Sequence, residues 1–249
     1  MTIEEFFQKY PRVAIAFSGG VDSAYLLYAA KKYAKEAAAY YVKSAFQPQF
    51  EFDDAKRLAK ELSADMRIIH IDILSDRQIA SNPKDRCYYC KKKIFSTIVE
   101  KAQKDGFEYL LDGTNASDEE NDRPGMKALA ELSVLSPLRM CGLTKDDIRV
   151  RSKEAGLFTW NKPSYACLAT RTVTGEEINE ILLSRTERAE DFLTTLGFED
   201  FRVRTLEGGA KIQIRENQME LLMKNRKKIL EVLLKDYKFV HMDLEVRGE

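Results

Sequence analysis

Short apolar runs alternate with helical patterns along the first half of the chain. VAIAF (13–17), AAYYV (38–42), MRIIHI (66–71) and EYLLD (108–112) are the apolar runs, each short enough for a buried strand. Between them, the stretches from Asp22 to about Lys35, Phe52–Ser63 and about Cys90–Lys104 repeat apolar residues at helical spacing. Strict alternation of this kind predicts right-handed crossovers and an α/β fold, a parallel sheet with helices on both faces. Ligands of such sheets bind outside the carboxyl ends of the strands. The ends here are SGGVDS, Lys43-Ser44, Asp72 and DGTNASD (112–118), all small, polar or acidic. SDEENDRPGMKA (117–128) then reads as an exposed loop before a short helix. LTKDDIRVRSKEAGL (143–157) reads as a helix capped by Thr144, and TWNKPSYACLATR (159–171) as irregular chain.

The pattern changes after Arg171. EEINEILLSRTERAEDFLTTLGF places Ile178, Ile181, Leu182, Ala189, Phe192, Leu193 and Leu196 on one helical face. DFRVRTLEGGAKIQIRE predicts two alternating strands joined at Gly208-Gly209, and a helix from about Gln218 to Leu234 and a strand in KFVHMDL complete the chain. Residues 1–171 are therefore expected to form the α/β domain and 172–249 a small α+β C-terminal module. The module's apolar faces exceed the needs of a lone unit of its size, which predicts a homo-oligomer.

At 249 residues and 44% hydrophobic content, the chain has enough apolar side chains for a substantial core. No apolar run reaches membrane-spanning length, and the start MTIEEFFQKY is acidic and aromatic, unlike a signal peptide; the expected location is cytoplasmic, with no membrane partner. Forty Lys and Arg balance forty Asp and Glu, and residues 172–249 carry 13 basic against 16 acidic side chains. That balance disfavours a nucleic-acid partner, whose phosphates require clustered positive charge.

Candidate chemistry begins at the first strand end. A strand that runs through Ser18-Gly19-Gly20 into a helix leaves backbone amides without carbonyl partners, lets the chain approach a ligand closely and attracts an anion. Ser18 and Ser23 offer hydroxyls to the same volume, and the turn lacks the lysine of a Walker loop. Of four cysteines, Cys87 and Cys90 form a CxxC, and Cys167 is distant. These are three thiolates for a metal or a cluster; zinc would require Cys141 or His70 as well, and redox thiols or unlinked cysteines remain alternatives. Cys141, in RMCGL, reads as a small buried residue.

SGGVDS behind a strand resembles the pyrophosphate loop (PP loop) of the N-type ATP pyrophosphatases, which cleave ATP between the α and β phosphates and transfer AMP to a substrate oxygen. The resemblance implies that Ser18, Gly19, Gly20, Asp22 and Ser23 hold the pyrophosphate of ATP, with Asp22 as the catalytic partner of Mg2+. AFSGGVDS, DRCYYCKK, LDGTNASDEENDRPGMKAL, GLFTWNKPSYACLATR and LGFEDFRVR, in this order, resemble the LarE family of sulfur insertases in nickel-pincer nucleotide biosynthesis. That implies adenylation of a carboxylate of pyridinium-3,5-biscarboxylic acid mononucleotide and replacement of its oxygen by sulfur. The partners are then a small nucleotide substrate and a sulfide source.

Family members differ in where the sulfur originates. With Cys87, Cys90 and Cys167 all present, this chain resembles the type that binds a [4Fe-4S] cluster, with hydrosulfide on the free iron; the other type sacrifices the sulfur of the cysteine equivalent to Cys167. By the same resemblance Arg171, Arg202 and Arg204 grip the substrate phosphate, and Ser44, Asp112, Gly113 and Thr114 line the nucleotide site. Glu120, Asn121, Asp122 and Arg123 are expected either to order a loop over the adenylate or to form a solvated charge run. Trp160 and Tyr88 serve as packing residues or as stacking platforms. A tRNA thiolase with a three-cysteine cluster is the alternative activity, and a non-catalytic ATP-sensing protein the alternative from another class.

Overall fold

The computed structural model describes residues 1–118 and 124–246. They divide into two compact units, Met1–Asp72 with Asp85–Lys162, and Ile73–Lys84 with Pro163–Glu249. In the first unit the order is α1 (Ile3–Lys9), β1 (Arg12–Ala16), α2 (Val21–Tyr33), β2 (Glu36–Lys43), α3 (Gln49–Glu61) and β3 (Asp65–His70). After α4 (Arg77–Ala80), which belongs to the second unit, follow α5 (Arg86–Lys104), β4 (Tyr109–Leu111), α6 (Pro124–Glu131), α7 (Pro137–Met140) and α8 (Lys145–Glu154). The second unit continues with α9 (Glu180–Thr195), β5 (Arg202–Leu206), β6 (Gly209–Gln213), α10 (Met219–Leu233) and β7 (Val240–Met242).

The first sheet is parallel throughout, in the order β3-β2-β1-β4. Successive side chains of a strand face opposite ways, so two covered faces require a continuous apolar run. Val13, Ile15, Ala39 and Tyr41 pack with α2, α3 and α8 through Leu26, Leu27, Leu58 and Ile148. Ala14, Ala38, Tyr40 and Val42 turn to the other face and meet Ile98 and Ala102 of α5. β3 lies at the edge, which explains why Ile68 of its apolar run stays exposed. Helices α2, α3 and α5 start earlier than expected, and α8 has its predicted Thr144 cap, closed by Asp147 into a capping box.

Two expectations, on α9 and on the hairpin, need correction. The compact units part at Lys162/Pro163, and segment 73–84 joins the second one. The reason is local bonding: Asn82 donates to the Val173 carbonyl at 2.8 Å, and Arg171 is paired with Glu190 of α9. Ile181 is 81% exposed, because α9 begins at Glu180 behind an Asn179 cap and its buried side is Leu183, Thr186, Ala189, Glu190 and Leu193. The hairpin turn is Glu207-Gly208, both at positive φ, with Gly209 already in β6. The second sheet, β5-β6-β7, packs Val203, Ala210 and Ile212 against Leu193, Leu222 and Ile229. Among the described residues no helix is long and apolar enough to cross a membrane.

One charged cluster ties the sheet to the end of α5. Buried Tyr40 donates its hydroxyl to Asp105 at 2.8 Å, and Arg67 approaches the same carboxylate at 2.6 Å. These hydrogen bonds, with Lys101, draw the Asp105 carboxyl down to about 2. A carboxylate lowered by folding stabilises the fold above its unfolded value and loses that contribution as pH falls toward 2. Asp105→Asn is expected to flatten the acid limb of stability between about pH 4 and about pH 2, measured by urea melts at stepped pH. An unchanged limb would exclude this cluster as its source.

Candidate active site

The turn between β1 and α2 is shaped by what it leaves unpaired. The first intrahelical bond of α2 runs from the Ala24 amide to the Gly20 carbonyl at 2.9 Å, and the Gly20 cap has no side-chain bond of its own. The amides of Val21, Asp22 and Ser23 therefore have no carbonyl within the helix. Gly19 has φ +77° and its Cα faces α3, where an added Cβ would lie 3.0 Å from the Ala55 Cβ. Inside the turn Ser18 Oγ and Ser23 Oγ are 3.1 Å apart, and the Ser23 hydroxyl reaches the Gly20 carbonyl at 3.2 Å. The result is a concave set of N–H donors and hydroxyls with the helix dipole behind it, an arrangement that binds phosphate.

The loop after β4 closes on this turn. A Cβ on Gly113 would stand 3.0 Å from the Ser23 nitrogen, so only a bare Cα allows the approach. Asp112 is buried and holds the loop by accepting the hydroxyls of Thr114 and, at 2.6 Å, Ser136. Asn115 donates to Asp22 Oδ1 at 3.4 Å, while Lys145 Nζ meets Asp22 Oδ2 at 2.6 Å. The Lys145 amide is itself fixed by Ser117 Oγ at 3.0 Å. Gly19, Gly20, Asp22, Ser23, Gly113 and Thr114 are thus brought together. Ser44 is committed elsewhere: its hydroxyl donates to Gln47 Oε1 at 2.7 Å and caps the turn into α3. Arg123, with Glu120, Asn121 and Asp122, lies outside the described residues.

Sequence reading did not find Lys145, Asn115 or Ser136. Lys145 had a signal, since a lysine in the first turn of a helix opposes the dipole and asks for a local anion; Asp22 is that anion. Cys87 and Cys90 stand three residues apart at the start of α5, Cys87 exposed and Cys90 half-buried. Tyr88, between them, gives its hydroxyl to Glu131 at 3.0 Å, and Trp160 lies under Lys153, so both are engaged in packing contacts. Burial pushes the half-buried Cys141 thiol up, consistent with a residue packed against the core.

In the second unit Cys167 caps the 3-10 turn Leu168–Arg171. Arg171 is fully buried: Nε and Nη2 bind both oxygens of Glu190 at 2.8 and 3.0 Å, and Nη1 reaches the Ala166 carbonyl at 2.8 Å. Burial opposes its charge, but the hydrogen bond and charge of Glu190 outweigh that and hold it cationic. Its guanidinium is thus enclosed by protein acceptors. Arg202 is also buried, on the carbonyls of Phe201 and Ser164 at 2.6 and 2.9 Å. Arg204 is half-buried and donates to the Thr170 carbonyl at 2.8 Å. Glu190 was hidden in the sequence by the phase error in α9.

A parallel sheet whose first strand delivers a phosphate-binding, lysine-free turn defines a PP-loop enzyme that uses ATP, and the family model of the queuosine biosynthesis protein QueC matches residues 12–93. A pyridinium-3,5-bisthiocarboxylic acid mononucleotide synthase of Lactiplantibacillus plantarum is 33% identical over 236 residues, 94% of this chain and 86% of that protein. The chain belongs to the LarE family of ATP-dependent sulfur-inserting enzymes. An uncharacterized protein of Synechocystis sp. is 32% identical over 220 residues, covering 88% and 82% of the two chains. The tRNA-specific 2-thiouridylase MnmA of Fervidobacterium nodosum is 24% identical over 187 residues, 61% of this chain and 54% of that one.

Gly113→Ala is expected to cost about 1–3 kcal/mol in urea melts, the range for inserting a methyl into packed space. It is also expected to weaken ATP binding about tenfold or more by calorimetry, since the amide mouth must shift. The half-exposed Lys145–Asp22 pair contributes at most about 1 kcal/mol to stability. Lys145→Met is therefore expected to fold normally while releasing pyrophosphate about tenfold or more slowly; a native rate would remove Lys145 from the site.

Proposed function

We propose that this chain adenylates a carboxylate of pyridinium-3,5-biscarboxylic acid mononucleotide and replaces its oxygen with sulfur, giving the thiocarboxylate. The carrying observation is the 94% coverage of the match to the named synthase, which takes in both units. The amides of residues 21–23 and the Ser18 and Ser23 hydroxyls orient the β and γ phosphates. Asp22, contacted by Lys145 and Asn115, is the residue that would hold Mg2+, which would offset the charge of the phosphates. A substrate carboxylate oxygen attacks the α-phosphorus, and pyrophosphate leaves. A sulfur nucleophile then attacks the acyl carbon, and AMP leaves in place of a far poorer oxygen leaving group. Arg204, the least buried of the three arginines, is the one assigned to the substrate phosphate.

Among the described residues no three His, Cys, Asp or Glu side chains stand together as a metal site. What supports a cluster is the donor chemistry: Cys87, Cys90 and Cys167 are sulfur donors outside any disulfide, two of them three residues apart on one helix. These three residues would hold a [4Fe-4S] cluster, which would supply a coordination position for the transferred sulfur. Cys167 is then the catalytic cysteine whether it ligates the cluster or surrenders its own sulfur. Cysteines outside any disulfide suit the reducing cytoplasm. Exposed Ile181, Met223 and Leu234 support a homo-oligomer through the second unit.

The match to MnmA favours tRNA thiolation as a second reading, but it reaches only 61% of this chain, and the net charge is zero. Anaerobically reconstituted protein is expected to carry about four iron and about four sulfide per chain, lost in Cys87→Ala. Asp22→Ala is expected to abolish pyrophosphate release with the pyridinium substrate. Iron-free protein that transfers sulfur once per chain would move the source to Cys167, and thiolation of unmodified tRNA would move the substrate.

A further inference from the structure

We infer that Arg171 is a positioning residue: locked onto Glu190, its guanidinium fixes the turn that carries Cys167 and so sets where that thiol points. The inference rests on Cys167 as the sulfur-handling cysteine. Residues 163–167 lack helix or strand, and a segment without secondary structure relies on side chains to satisfy and order its carbonyls. Here arginines do so. Arg171 Nη1 donates to the Ala166 carbonyl at 2.8 Å, to the Cys167 carbonyl at 3.4 Å and to Thr170 Oγ1 at 2.8 Å. Arg202 holds the Ser164 carbonyl, and Arg204 the Thr170 carbonyl. The guanidinium groups of Arg171 and Arg202 lie 4.5 and 5.0 Å from the centre of the Tyr165 ring, whose hydroxyl donates to Glu190.

Glu190 anchors the assembly to regular structure. It projects from α9, takes both guanidinium bonds and accepts the Val203 amide of β5 at 2.9 Å. Its side chain is 6% exposed and that of Arg171 is 0%. A buried ion pair is a poor device for stability, since apolar groups of similar volume often serve as well. Its value lies in direction. The planar fork bound to two oxygens leaves Nη1 a single orientation, and that orientation addresses the two residues at and before Cys167. Sulfur transfer to an acyl carbon needs such placement, because a small misplacement of reacting atoms costs a large factor in rate.

The test pairs Arg171→Met with Glu190→Gln, which removes both charges at nearly constant volume and keeps an acceptor for the Val203 amide. The urea midpoint is expected to stay near that of the native chain. Hydrogen exchange of the Leu168–Thr172 amides, read without ATP or cluster, is expected to quicken about tenfold while the β5–β6 amides remain unchanged. In sulfur transfer, kcat is expected to fall about tenfold or more with KM for ATP unaltered. Arg171→Lys keeps the charge opposite Glu190 but loses the fork, and the same local effects are expected. Native exchange and native kcat in either variant would overturn the inference. So would exchange that quickens equally across the unit, or unfolding of both variants, because the pair would then serve stability alone. A Cys167→Ala control separates the two readings: if it still transfers sulfur, the role of Cys167 fails, while the exchange data judge Arg171 on their own.

Discussion

The backbone amides left without partners at the start of α2 are the constraint around which the first unit is arranged. A helix cannot satisfy its own first donors, and a strand that feeds it from inside a sheet delivers those donors to one fixed place. For the donors to remain available to a ligand, no side chain may fill the space in front of them. Two close approaches meet that requirement, Gly19 against Ala55 of α3 and Gly113 against the Ser23 amide. The second also explains the buried Asp112, whose two hydroxyl bonds hold the β4 loop at van der Waals distance from the turn.

The second unit solves the opposite problem. Around Cys167 the groups in need of partners are carbonyls, and the chain supplies arginine donors for them from α9's neighbourhood and from β5. The first turn keeps donors unpaired within its helix; around Cys167, arginines engage the Ser164, Ala166, Cys167 and Thr170 carbonyls.

Much of this was legible in sequence where one local rule decides the outcome. The β1 turn follows from an apolar run, two glycines and a helix start, and the parallel sheet follows from alternation. The Thr144 cap follows from a hydroxyl before Asp146 and Asp147. What could not be read depends on partners distant in sequence. Asp22 meets Lys145 across more than a hundred residues, and Arg171 finds Glu190 only once the phase of α9 is fixed by its Asn179 cap. The family resemblance implies a phosphate-binding role for Arg171, while its burial against an acidic helix residue is visible only in the folded chain. The segment 73–84 likewise looks like part of the first domain until its backbone bonds to residues 173–178 are seen.

The cysteines differ in how they are held, and the difference bears on mechanism. Cys87 and Cys90 are carried by a nineteen-residue helix, whose geometry fixes their separation without any other group. Cys167 has no such support and depends on Arg171, Arg202 and Arg204 for the shape of its turn. A cluster needs all three thiols, but a sacrificial cysteine needs only the third. On the proposed reading the arginine cage therefore serves either source of sulfur, whereas the helical pair serves only the cluster, and the placement of the Cys167 turn governs transfer in either case.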